Sequence, residues 1–109
     1  MRYLRLKKNN DFQKLFKKGK KVFSPCITVL YIPSGRQIMG IALSKKHGKA
    51  VKRNRIKRLV RAAYDRQIEN LDANYSVVVL PKVQDNYSYK EIEKSLLSCF
   101  KKINAQCQS

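Results

Sequence analysis

The chain has 109 residues, of which 43% are hydrophobic, enough for one domain with a single modest core. It carries 25 Lys and Arg against 7 Asp and Glu, a formal net charge of +18, and such a field strains the compact state by self-repulsion unless a polyanion meets it. Three cysteines in no C-x-x-C pair and a single histidine exclude a zinc set and a disulfide framework, and point to free thiols in a reducing compartment.

The charge is confined to two blocks. Residues 1–21 hold nine Lys and Arg against Asp11, and residues 44–66 hold ten against Asp65, so these blocks contribute +8 and +9. Residues 22–43 contribute only Arg36, and residues 67–109 balance five Lys with five acids. Charge concentrated in this way is the electrostatic footprint of a nucleic-acid binder. Residues 1–8 are basic, with Arg5, Lys7 and Lys8 where the apolar part of a signal peptide would begin, and are expected to be loose. The longest nearly apolar run, residues 26–32, is too short to span a bilayer, so a cytoplasmic protein without a membrane partner is expected.

Asn10 followed by Gln13 reads as a helix start, with Phe12, Leu15 and Phe16 at helical spacing and Gly19 as a stop. A helix of about two turns is marginal alone, so Phe12 and Phe16 must dock on something. Val22 and Phe23 suit a short strand before Pro25. Residues 26–32 (CITVLYI) and 37–44 (QIMGIALS) read as strands joined by the turn residues Pro33, Ser34 and Gly35, which predicts a hairpin.

A helix is predicted over residues 50–71. Ile56, Leu59, Val60, Ala63 and Leu71 fall on one side of its wheel, with Asn54, Arg58, Arg61 and Asp65 opposite and Arg55 and Lys57 on the flanks. Residues 75–80 (YSVVVL) form an uninterrupted apolar strand, expected to be central with both faces buried. The strand–helix–strand succession predicts a crossover with parallel pairing. Ser88 and Glu91 form a capping box for a last helix carrying Ile92, Leu96, Cys99, Phe100 and Ile103 on one face, and the polar tail from Asn104 is expected to fray. The predicted architecture is a single α+β domain over residues 1–109, a small central sheet with packed helices in the order α-β-β-(β)-α-β-α.

No pair among the seven carboxylates shows a catalytic spacing, no phosphate-binding loop is present, and Ser44 has no evident base. His47, among Lys45, Lys46 and Lys49, reads either as an acid or base or as a neutral loop residue. The chain is therefore expected to perform no bond chemistry by itself. From Lys45 to Arg61 there is no acid, whereas solvated helix faces interleave acids with bases four apart. Arginine outnumbers lysine within the helix, which suits bidentate grip on phosphate, and Asn54 offers an amide to a base, a sugar or a hydrated ion.

The pattern Gly40-Ile-Ala-Leu-Ser-Lys-Lys46, Gly48, Ala50-Val51 and Arg53-Asn-Arg-Ile-Lys-Arg58 resembles the signature of the bacterial ribonuclease P protein subunit family. Asp11, Phe12, Phe16 and Gly19 resemble that family's opening helix, so the likeness covers nearly the whole chain. The resemblance implies a ribosomal-protein-like two-layer sandwich with a left-handed crossover, a hand opposite to the one the general rule gives. It implies a protein that binds the catalytic ribonuclease P RNA and the 5′ leader of precursor tRNA and assists the RNA in endonucleolytic removal of that leader. No stable protein partner is then required, and Mg2+ is held mainly by the RNA. Carried over by position, Lys45, Lys46, Lys49, Arg53, Asn54, Arg55, Lys57, Arg58 and Arg61 face the catalytic RNA, while Phe12, Phe16 and Tyr31 take the leader. Lys49 and His47 depart from the family pattern, which often has Asn and an aliphatic residue there. Phe12 and Phe16 keep two readings, core packing or platforms for bases, with one ring buried and the other in a cleft reconciling them. The alternative is a structural ribosomal RNA-binding protein, which would share the charge and fold type. A sequence-specific DNA binder would need two-fold dimer logic or base-reading arms, and neither is visible.

Overall fold

The structure is a computed structural model that describes residues 4–6, 9–71, 73–84 and 87–107; side chains are described for residue 6 and, within the longer segments, from residue 12 to residue 106. Among the described residues five strands and three helices follow one another: β1 (Leu4–Arg5), α1 (Asn9–Lys18), β2 (Lys20–Phe23), β3 (Ile27–Pro33), β4 (Ile38–Ile41), α2 (Ala50–Gln67), β5 (Tyr75–Pro81) and α3 (Tyr89–Cys107). A 3-10 turn, Lys45–His47, precedes α2, and another, Ile68–Asn70, follows it. The strands form one sheet in the order β1-β4-β5-β3-β2.

The expected hairpin between β3 and β4 does not form. β5 lies between them, antiparallel to β3 over seven residue pairs and parallel to β4 over four. The physical reason is the composition of β5: with Tyr75, Ser76, Val77, Val78 and Val79 all buried, it needs both faces covered and both edges bonded, which the middle of the sheet supplies. The 34–37 connection instead passes over the start of β5. Ser34 N–H donates to the Asn74 carbonyl at 3.1 Å, Asn74 Nδ2 to the Gly35 carbonyl at 3.3 Å, and Tyr75 N–H to Gln37 Oε1 at 3.1 Å. The parallel crossover expected from β4 through α2 to β5 is present.

Strand alternation divides the core between the two faces of the sheet. On one face Val29, Tyr31, Val77 and Val79 meet Ile56, Val60, Ala63 and Tyr64 of α2 and Ile92, Leu96, Phe100 and Ile103 of α3. Tyr64 and Phe100 meet edge to face, with ring centroids 5.5 Å apart. On the other face Leu30 and Val78 meet Leu15 of α1, with Leu6, Phe12, Ile32, Ala42 and Leu80 around them. The two-layer expectation thus describes α2 and α3, and α1 adds a partial layer on the opposite face.

Two further expectations are corrected. Residues 4 and 5 are not loose, because Leu4 and Arg5 pair in parallel with Ile38 and Met39 at the sheet edge; the expectation for residues 1–3, 7 and 8 lies outside the described residues. The C-terminal tail is helical to Cys107. Asn104 Nδ2 donates to the Asn70 carbonyl at 2.7 Å, and the Tyr31 hydroxyl donates to Gln106 Oε1. These tertiary bonds hold a polar segment that sequence alone leaves free.

Candidate nucleic-acid interface

The interface is built where α2 begins. The chain leaves β4, makes the 3-10 turn Lys45–His47, and enters the helix through Gly48, whose φ of +104° is a conformation that side chains resist. His47 anchors this turn. It is buried, its Nδ1 lies 3.0 Å from Ser44 N and 3.2 Å from Ser44 Oγ, and its Nε2 lies 2.7 Å from the Pro81 carbonyl. A backbone N–H can only donate, so Nδ1 accepts and Nε2 carries the proton given to Pro81. Of the two sequence readings, the neutral structural one matches this geometry. The turn is thereby tied to the end of the central strand, with Lys45, Lys46 and Lys49 exposed around it.

The first turn of α2 contains no acid, and Lys49 occupies its N-cap with no side-chain cap bond. Lysine and arginine at the positive end of an 18-residue helix are electrostatically opposed to it, and an anion relieves both. The basic residues then divide. Arg53, Asn54 and Lys57 line a groove of about 440 Å³ together with Phe12 and Phe16 of α1 and Ile41, Ala42, Leu43 and Ala50. Arg55 and Arg58 are exposed and are not among the groove residues, and Arg61 is half-buried further along the helix. Arg53 Nε is buried with no hydrogen-bond partner among the described residues.

Of the aromatic residues, Phe12 is half-buried and Phe16 is 46% exposed. One ring packs on the sheet and the other opens onto the groove. Tyr31 does not join them. It is 1% exposed on the face covered by α2 and α3, edge to face with Tyr75 at 5.4 Å. Strand parity explains the displacement: Leu30, its neighbour, faces α1 instead. The groove wall contributed by Ile41, Ala42 and Leu43 carries no charge or motif that singles it out in the sequence; the one available signal is Gly40, where Leu6 and Phe12 approach the strand closely.

Among the described residues no group of three or more His, Cys, Asp or Glu side chains is gathered that could hold a metal ion. No helix among the described residues is long and apolar enough to cross a membrane.

A cationic helix and an aromatic-lined groove on an α+β scaffold define an RNA-binding domain. The sequence profile of the Ribonuclease P family matches residues 1–104, and the chain belongs to that family. The ribonuclease P protein component of Bacillus velezensis is 38% identical over 101 residues, covering 90% of this chain and 87% of that relative. That of Clostridioides difficile is 38% identical over 102 residues, covering 89% of each. Among solved structures, the RNase P protein from Thermotoga maritima superposes with a TM-score of 0.80 at 28% identity, covering 90% of this chain and 96% of that one. The Staphylococcus aureus RNase P protein gives 0.79 at 30% identity, covering 91% and 94%.

Proposed function

We propose that this chain is the protein subunit of ribonuclease P, gripping the catalytic RNA with its cationic helix and the 5′ leader of precursor tRNA in its aromatic groove. The observation that carries the reading is the meeting of Phe12 and Phe16 with Arg53, Asn54 and Lys57 around one groove. Basic grooves with aromatic platforms bind single strands and tolerate sequence, as a site for varied leaders must. The guanidinium of Arg53, which lines the groove, suits a phosphate oxygen of that strand. The outward cations Arg55 and Arg58, with Lys45, Lys46 and Lys49 on the turn, suit the closely spaced phosphates of a folded RNA. Arg61 extends that grip along the helix.

The chain supplies positioning and charge neutralisation, and the RNA supplies the reactive groups. Magnesium is assigned to the RNA, as the resemblance to the family implies. The setting is cytoplasmic, in keeping with the buried free thiols of Cys26 and Cys99. The test is reconstitution with a bacterial catalytic RNA and measurement of leader removal at low magnesium. Strong stimulation is expected; no stimulation, or cleavage by the purified protein alone, refutes the reading.

A further inference from the structure

The groove does not close at α1. On the face where Leu30 and Val78 meet Leu15, the next row toward the open end of the sheet is formed by Ala42, Leu80 and Thr28, all half-buried. Ala42 and Leu80 pack against the cluster under α1, and Ala42 also lines the groove. The row continues onto the edge strand, because Thr28 pairs with both Leu80 and Phe23. Val22 belongs to the core on the far side, so strand alternation turns Phe23 and Lys21 to the groove side. Phe23 is 58% exposed, more than Phe16.

An exposed phenylalanine on an edge strand invites pairing with another strand, yet this edge is defended. Lys20 and Lys21 are exposed along it, and Lys102 Nζ donates to the Phe23 carbonyl. Cations on the edge and an occupied carbonyl disfavour strand addition. The same features favour a chain of phosphates carrying bases. Lys21, opposite Leu30, stands one row from Phe23 on the same face, so a base on the ring would bring its phosphate beside the ammonium. From β4 to β2 is three strand spacings, about 14 Å, the reach of a few nucleotides.

We propose that the leader path extends beyond the groove, across Ala42, Leu80 and Thr28, to a second stacking platform at Phe23 flanked by Lys21, so that longer leaders gain an additional base contact. The proposal rests on the ribonuclease P reading and names a part of that site. It follows from the continuity of the row with the groove and from the charge at its end.

The experiment uses the reconstituted holoenzyme and precursor tRNAs whose leaders are lengthened one nucleotide at a time. The readout is the ratio of affinities between the longest and shortest leaders. A step in affinity is expected once the leader reaches the edge, and Phe23→Ala should lower the ratio by between about fivefold and a hundredfold, the range for one stacked base. Phe23→Trp should retain the step. Circular dichroism checks that an exposed substitution leaves the fold intact. The same ratio in wild type and Phe23→Ala overturns the proposal, as does a wild-type affinity that never steps. A Phe23→Ala change in self-association instead of in the ratio assigns the ring to a contact between copies and likewise overturns it. If the wild-type holoenzyme does not distinguish leader-bearing from mature tRNA at all, the ribonuclease P leader reading itself fails, and this proposal with it.

Discussion

His47 Nε2 lies 2.7 Å from the carbonyl oxygen of Pro81, joining the cationic turn before α2 to the last residue of the central strand. The bond is buried, and Nδ1 of the same ring accepts from the Ser44 N–H on its other side. His47→Ala withdraws both partners and leaves a cavity. Unsatisfied buried groups cost about 1–3 kcal/mol, so a loss of about 2 kcal/mol in unfolding free energy is expected, read as a lowered urea midpoint at unchanged slope. The turn bearing Lys45, Lys46 and Lys49 would loosen with it, and affinity for the catalytic RNA should fall together with stability. A variant of unchanged midpoint would show that the bond contributes nothing net.

Gly40 sets the height of α1 over the sheet. A Cβ there would stand 2.9 Å from Phe12 Cζ and 2.9 Å from Leu6 Cβ, and 3.0 Å from Phe12 Cε1. The Phe12 ring must turn toward the groove it lines, or α1 and Leu6 must lift. Gly40→Ala is expected to cost about 1–3 kcal/mol, the range for overpacking, and to weaken single-stranded RNA binding by moving Phe12 and Phe16. Thermal unfolding measures the first effect and fluorescence anisotropy with a short labelled RNA the second. Unaltered values for both would show that the groove tolerates a wider opening.

Burial raises the Cys99 thiol above its ordinary value of 9.0, outweighing the hydrogen bond from Ser24 and the nearby Lys102 ammonium, which act the other way. In the unfolded chain the thiol ionises at its ordinary value, so unfolding is favoured once the pH exceeds it. Cys99 therefore contributes stability that is complete below about pH 8.5 and is lost as the pH rises through the raised folded-state value. The denaturant midpoint of the wild type should fall more steeply between pH 8 and 10 than that of Cys99→Ala, even though the variant starts lower. Parallel curves would remove the assignment.

The elements of this fold were largely visible in the sequence, but their arrangement was not. The wheel of α2 placed Ile56, Val60 and Ala63 inward and Asn54 and Arg58 outward, as found, because helical period alone decides that. It passed over Tyr64, whose burial is completed by Phe100, a residue distant in sequence. The apolar run of β5 showed that it was central, yet not which strands flank it. A turn at Pro33, Ser34 and Gly35 fits a hairpin or a hop across an inserted strand equally well, and the choice depends on bonds to Asn74 and Tyr75 made only after folding. The cationic side of the interface could be read off because charge is a property of each residue. The aromatic side could not be completed, since strand parity decides which of Leu30 and Tyr31 faces α1, and register is set by tertiary pairing.

The two halves of the interface can be separated by the RNA that each one feels. Arg58 is exposed on α2 and is not among the groove residues, while Phe16 lines the groove with close to half its surface open. Arg58→Ala withdraws an exposed cation that the proposed function sets against a phosphate, so affinity for the catalytic RNA should fall and the dependence of log affinity on log salt should become shallower by about one. Precursor and mature tRNA would be affected alike. Phe16→Ala takes away the ring proposed as a stacking platform, worth about 1–3 kcal/mol per stacked base, so it should weaken leader-bearing precursor by roughly fivefold to a hundredfold and leave the salt slope as it was. Titrations of the holoenzyme with precursor and mature tRNA over a range of salt distinguish the two signatures. The assignment of opposite roles does not survive if Phe16→Ala weakens both tRNAs equally, or if Arg58→Ala acts only when a leader is present.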